Sequence, residues 1–251
     1  VNREAQAVVL LLTGVALLHA GLSDLYLRYV KAGLQPLLLA AGAVLVAAAA
    51  ATAWYELRGS RRTGRGPGDG HEDPHDGAHE TAGAHPHHEP KVAWLLVLPV
   101  LALVLVAPPA LGSYSAARTG TSVPRPFGFP ALPAGDPLRM ETGDYAGRAV
   151  YDRGRSLSGR QLTLTGFVSI GRDGTPYLTR MVLNCCAADA RPVKIGLTGQ
   201  VPPVLRPDAW LEVTGTYTPR RAKDPVNDGP VPFLEVSRAR PVREPAEPYE
   251  G

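Results

Sequence analysis

Two groups of residues in this sequence have the side-chain chemistry to hold a metal ion. The first is the stretch 59–91, which contains His71, His75, His79, His85, His87 and His88, six of the seven histidines, with Glu72, Asp73, Asp76, Glu80 and Glu89 among them. Imidazole and carboxylate are ordinary ligands for zinc and related divalent ions. The four-residue spacing of His71, His75 and His79 would align them on one helical face, but Pro74 and Gly77 oppose a stable helix. A disordered tract that collects several ions weakly is the expectation, because ordering such a chain costs entropy. The alternative is a hydrophilic linker of drifting composition.

The second group is Asn184-Cys185-Cys186-Ala187-Ala188-Asp189, which holds the only two cysteines. Adjacent cysteines bridge each other only with strain, since a relaxed disulfide sets its Cα atoms further apart than neighbours stand. On a strand they would point to opposite faces; at a strand end they diverge less and offer soft ligands, with Asp189 as a third. Two thiols do not complete a tetrahedral zinc site, so another ligand, another chain or an exchangeable ion is needed. Against this stands the reading of one core cysteine and an incidental neighbour. His19, the remaining histidine, lies in an apolar stretch with Asp24 five residues on, and is expected to be simply hydrogen-bonded.

Other chemistry is missing. No GxSxG elbow, phosphate-binding glycine loop or HExxH helix occurs, and residues 112–251 hold no histidine, which excludes a local Ser-His-Asp or Cys-His arrangement. No catalytic residue is assigned. Residues 112–251 carry 18 Lys or Arg against 14 Asp or Glu, without a basic run interleaved with aromatics, so nucleic acid is not an expected partner.

The elements that would position these groups divide the chain. Residues 1–58 are expected to hold two transmembrane helices, about Ala5 to Tyr26 and Leu34 to Tyr55, the second ending on interfacial Trp54 and Tyr55. Residues 59–91 form the disordered His-rich loop, and 92–111 a third, charge-free helix kinked at Pro99 and stopped by Pro108 and Pro109. The first segment is expected to stay uncleaved. Arg3, Arg58, Arg61, Arg62, Arg65 and Lys91 outnumber Arg28, Lys31, Arg118 and Arg125. That bias puts the N-terminus and the His-rich loop in the cytoplasm and the C-terminal domain outside the plasma membrane.

Residues 112–135, rich in proline, read as a linker, and 136–251 as a soluble, all-β domain. From Gln161 the periodicity is two, with Leu162, Leu164, Gly166, Val168 and Ile170 on one face. Further strands are expected over 176–184, 192–197, 210–217 and 233–240, separated by Gly, Pro and Asp turns. Five short strands predict a small barrel of the oligonucleotide/oligosaccharide-binding (OB) type.

The chain resembles a family of bacterial membrane proteins described as permease subunits, the YcgQ-like, DUF1980-type proteins. The resemblance rests on the proline-containing third segment leading to Pro108-Pro109, on Gly166-Phe167-Val168, and on the stretch RMVLNCCAAD from Arg180 to Asp189. It continues through Trp210 to Gly215 and the terminal Pro248-Tyr249. It implies a polytopic partner of the arsenical-permease-like group and, in some members, a link to zinc limitation.

The expected function is therefore an accessory subunit of a two-component membrane permease, handling zinc or another divalent metal. The competing expectations are an envelope binding or structural module and a vicinal-thiol redox protein.

Overall fold

The computed structural model describes residues 3–63, 98, 101, 102, 106 and 109–251, with side chains of the first stretch placed at 6–58. The six loop histidines and most of the third apolar segment lie outside the described residues. Two compact units are present: Val1–Leu22 with Pro36–Pro108, and Ser23–Gln35 with Pro109–Gly251.

The first unit contains α1 (Arg3–Leu22) and α2 (Gln35–Thr63). They run antiparallel, with Gly14 against Gly42 and Val46, and Gly21 against Leu39. A Cβ on Gly14 would stand 2.8 Å from Val46 Cγ2 and 3.0 Å from the Gly42 carbonyl. Missing side chains let the two backbones approach, the usual packing device of helices in apolar surroundings. The helical stretch Ala32–Arg58, 27 residues whose apolar 18-residue window has a mean hydropathy of 2.1, is long and apolar enough to cross a membrane. Near its end the Arg58 guanidinium lies 4.4 Å from the Trp54 ring centroid. Two boundaries differ from expectation. α1 stops at Leu22, and Tyr26 belongs to a buried 3₁₀ turn, Asp24–Arg28, of the second unit. α2 continues to Thr63, several residues into the stretch expected to be loop.

The second unit is built on a closed five-stranded barrel. Its strands are β2 (Gln161–Ile170), β3 (Pro176–Val182), β4 (Arg191–Gly199), β5 (Trp210–Lys223) and β6 (Pro230–Pro241). The order β2-β5-β6-β4-β3 closes by pairing β3 with β2. Every barrel pairing is antiparallel except β4 with β6, the arrangement of an OB-type barrel. Two short strands extend it: β1 (Leu138–Arg139) lies parallel to β2, and β7 (Tyr249–Glu250) parallel to β3. Leu162, Leu164, Val168, Leu178, Ile195, Val213 and Leu234 fill the interior and are fully buried. Gly166 is required where β2 crosses β3, since a Cβ there would meet the Thr179 carbonyl at 2.7 Å.

The five-stranded barrel expected for this domain is present, and one helix packs against it. Helix α4 (Thr142–Tyr151) packs Tyr145 and Ala149 into the barrel core, and the Tyr145 hydroxyl donates to the Phe233 carbonyl at 2.6 Å. Its N-terminal amides are capped from far along the chain: Glu250 Oε1 accepts from Thr142 N–H and Oε2 from Gly143 N–H, both at 3.0 Å.

The stretch expected to be a linker also packs on the barrel. Helix α3 (Ser113–Arg118) buries Ala116 against Phe167, Met181, Leu183 and Tyr249, outside the barrel wall. This second cluster explains why β2 is buried on both faces, although its sequence alternates: Phe167 at 2 % exposure faces α3 rather than water.

Candidate metal centre

β3 ends at Val182, so Cys185 and Cys186 leave the sheet and turn through a bend into the 3₁₀ turn Ala187–Asp189. Off the strand their side chains no longer oppose each other. The two Sγ atoms stand 3.7 Å apart as free thiols, and Cys185 Sγ lies 3.1 Å from Asp189 Oδ2. One ligand atom from each of the three residues falls within 4.8 Å of the other two. Cys185 is exposed and Cys186 half-buried, which rules out core filling for the first thiol. Of the residues singled out from sequence, the structure brings together Cys185, Cys186 and Asp189.

Backbone amides fix the carboxylate. Asn184 N–H donates to Asp189 Oδ1 at 3.0 Å and Cys185 N–H to Oδ2 at 2.9 Å. The Cys185 thiol, the strongest single influence, and these amides together hold the Asp189 carboxyl below the usual carboxylate range. The reciprocal effect pushes the Cys185 thiol up to about 11, first because its S–H donates to Asp189 and then because Cys186 Sγ accepts from it. At neutral pH the Cys185 thiol is held protonated, in a hydrogen-bonded arrangement whose proton a metal would replace.

A second wall comes from the connection between the two N-terminal helices. Val30 forms an antiparallel bridge with Cys186. Lys31 N–H donates to the Cys185 carbonyl at 3.1 Å, and Ala187 N–H donates to the Tyr29 carbonyl at 2.7 Å. Tyr249 adds a rivet: its hydroxyl donates to the Arg28 carbonyl at 3.1 Å and accepts from Leu111 N–H at 2.9 Å. β7 in turn receives Leu183 N–H on the Glu250 carbonyl at 2.9 Å, just before the cysteines.

Sequence reasoning missed Tyr29, Val30 and Lys31. Their contribution is made by main-chain groups, which leave no residue signature. Tyr249 was noticed only as part of a motif, and its hydroxyl bridge joins positions 28, 111 and 249, which nothing local connects.

Neither a curated protein nor a solved structure matches the chain. The family model described as the DUF1980 C-terminal domain matches residues 136–250, and the barrel with its flanking strands is that domain.

Proposed function

We propose that the chain is the accessory subunit of a two-component permease, anchored in the plasma membrane by several helices and handling a divalent metal ion such as zinc at an external barrel domain. The observation that carries this reading is the Cys185–Cys186–Asp189 donor set, clasped by the main chain of Tyr29–Lys31 in the connection between α1 and α2. That connection is continuous in sequence with α1 and α2.

The same geometry favours a multi-pass topology. Ser23–Gln35 and Pro109–Gly251 form one unit and so lie on one side of a bilayer. If α2 crosses, the chain recrosses between Thr63 and Pro109, and 92–111 is the charge-free segment available for it. The Lys and Arg bias then places the barrel outside and the His-rich tract in the cytoplasm, with two metal-competent regions on opposite faces.

Two observations weigh against the competing readings. An OB barrel ordinarily binds oligonucleotides or oligosaccharides across its second and third strands and two flanking loops. Here α3 packs against β2 and β3, seating Ala116 on Phe167 and Met181, and takes up part of that face. This counts against an envelope glycan module. A redox role needs a thiolate, and the Cys185 thiol is pushed the other way.

The test is co-purification of the full chain from its native membrane in mild detergent. A polytopic permease recovered with wild type, and in reduced amount with Val30→Pro, is expected. Repeated isolation without any permease overturns the accessory role.

A further inference from the structure

The ion-handling reading above leaves open what kind of ion the site takes and whether it keeps it. Resting on that reading, we propose that Cys185, Cys186 and Asp189 form an exchange site for a thiophilic divalent ion of tetrahedral preference, the class of zinc and cadmium, with the fourth position left open to solvent or to a donor from the partner.

The spacing argues for the geometry. Zinc–sulfur bonds of about 2.3 Å at a tetrahedral angle set two sulfurs roughly 3.8 Å apart. Cys185 and Cys186 Sγ are already 3.7 Å apart. A sulfur and a carboxylate oxygen on the same ion want about 3.6 Å. The 3.1 Å between Cys185 Sγ and Asp189 Oδ2 needs to open by about half an ångström when the ion takes the place of the proton. A linear two-thiolate ion would need the sulfurs near twice a bond length, about 4.6 Å, and would leave Asp189 unused. Magnesium and calcium require several oxygen ligands and find a single carboxylate.

The carboxylate is prepared for this role. Main-chain N–H groups of Asn184 and Cys185 orient it, as outer hydrogen bonds orient ligands in metal sites. Oδ2 keeps the lone pair now taken by the Cys185 thiol.

Lability follows from what holds the loop. Structural zinc sites have four protein ligands and fold only around the ion. Here the turn is already secured by Asp189, by the bridge to Val30 and by Leu183 N–H on the Glu250 carbonyl. Three protein donors, one of them on an exposed residue, leave a position through which an ion enters and leaves.

Cobalt(II) is the probe, titrated into the full chain in detergent after reduction and chelator treatment. One cobalt per chain should give thiolate-to-metal charge-transfer bands with the intense visible bands of tetrahedral coordination. Zinc and cadmium should erase them stoichiometrically, and magnesium or calcium in large excess should not. The charge-transfer bands report thiolates alone, so ions held by the histidine tract do not contribute to them. C185S and C186S should each abolish or halve these bands, whereas D189N should keep them and weaken binding by at least the roughly 10–100-fold that loss of an outer hydrogen-bonding partner costs. Metal removal should leave the melting temperature nearly unchanged.

Octahedral cobalt spectra without thiolate bands overturn the proposal, as does a large fall in melting temperature on chelation, which would mark a structural site. Thiol-dependent binding of monovalent copper with none of cobalt or zinc refutes the ion class and leaves the ion-handling reading standing. An exchange site found as described, in a protein that never associates with a permease, refutes the accessory role alone.

Discussion

Two carboxylates in the barrel unit, Asp224 and Asp189, do the same local work and end in opposite situations. Each gathers two main-chain amides: Asp224 accepts from Thr121 N–H at 3.1 Å and Val226 N–H at 2.8 Å, and Asp189 from Asn184 and Cys185. Each then has one further partner. For Asp224 it is the Lys194 ammonium at 2.7 Å, with the side chains 0 % and 6 % exposed. For Asp189 it is a thiol at 3.1 Å on an exposed residue. A buried ammonium has nowhere better to go, because leaving strands a charge out of water. A thiol proton at the surface exchanges readily for a metal. The contrast separates a carboxylate that closes a fold from one that keeps a site open.

The comparison predicts its largest effect at the closed corner. Lys194→Met strands the Asp224 charge and should cost about 3–5 kcal/mol, the usual penalty for removing one partner of a buried pair. It should also loosen Thr121–Ser122, since Asp224 and Lys194 N–H hold both sides of that strap. Thermal melting of the full chain in detergent measures the first effect. K194M/D224L, which removes both charges, should recover much of the loss. A single variant as stable as wild type would erase the distinction drawn between the two corners.

At the open corner the balance should invert. Asp189→Asn keeps an acceptor for one amide, so stability should fall by no more than about 1 kcal/mol, while ion affinity falls by at least roughly 10–100-fold, as argued above. Melting and cobalt titration on the same sample decide this. If stability and binding are lost together, Asp189 is a fold-closing group like Asp224.

The two corners were unequally legible in the sequence. The period-two run from Leu162 and the turn residues between strands carried the five-stranded OB-like barrel, because alternation reflects a wall with one face on a core. Asp189 was readable beside the cysteines because the turn that unites them is local. Lys194 and Asp224 were not, since thirty residues separate them and surface residues have the same identities. Helix α4 was hidden for a similar reason: TGDYAGRAVY has two glycines, low intrinsic propensity, and a cap supplied by Glu250 more than a hundred residues away. The proline-rich segment before it looked like a linker because its burial depends on one small residue, Ala116, and on main-chain bonds.

A third test addresses how the open corner is tied to the α1–α2 connection. Tyr249→Phe removes one hydroxyl and leaves Leu111 N–H and the Arg28 carbonyl without that partner. The expected cost is about 1–2 kcal/mol, typical for unsatisfying partly buried groups. More telling is faster labelling of Cys185 by a maleimide under native conditions, because β7 no longer holds the strand leading to the cysteines as firmly. Unchanged labelling with lowered stability would mean that the rivet serves the fold and not the site.

The smallest effect concerns Glu250, a third carboxylate that combines features of both corners. It accepts from Thr142 and Gly143 N–H and stands 3.5 Å from Arg180 Nε, with both side chains more than nine-tenths buried. Unlike Lys194 with Asp224, this contact is long, and Arg180 spends its well-formed bond on the Glu247 carbonyl at 2.9 Å. Burial therefore prevails over the amides and the guanidinium, and raises the Glu250 carboxyl above its ordinary value. A carboxyl raised in the folded chain favours the protonated form there. Its stabilising contribution is complete below the unfolded value, about pH 4.3, and is lost as pH rises through the higher folded value. The Glu250→Gln variant has no such dependence, because its amide does not titrate, and it keeps one acceptor for the helix cap. The melting temperature of wild type, measured relative to that variant, should therefore fall as the pH rises from about 4.3 through the raised folded value, other groups cancelling in the subtraction. A relative rise over the same interval would mean that Arg180 holds the carboxylate as Lys194 holds Asp224, and that this site belongs with the closed corner.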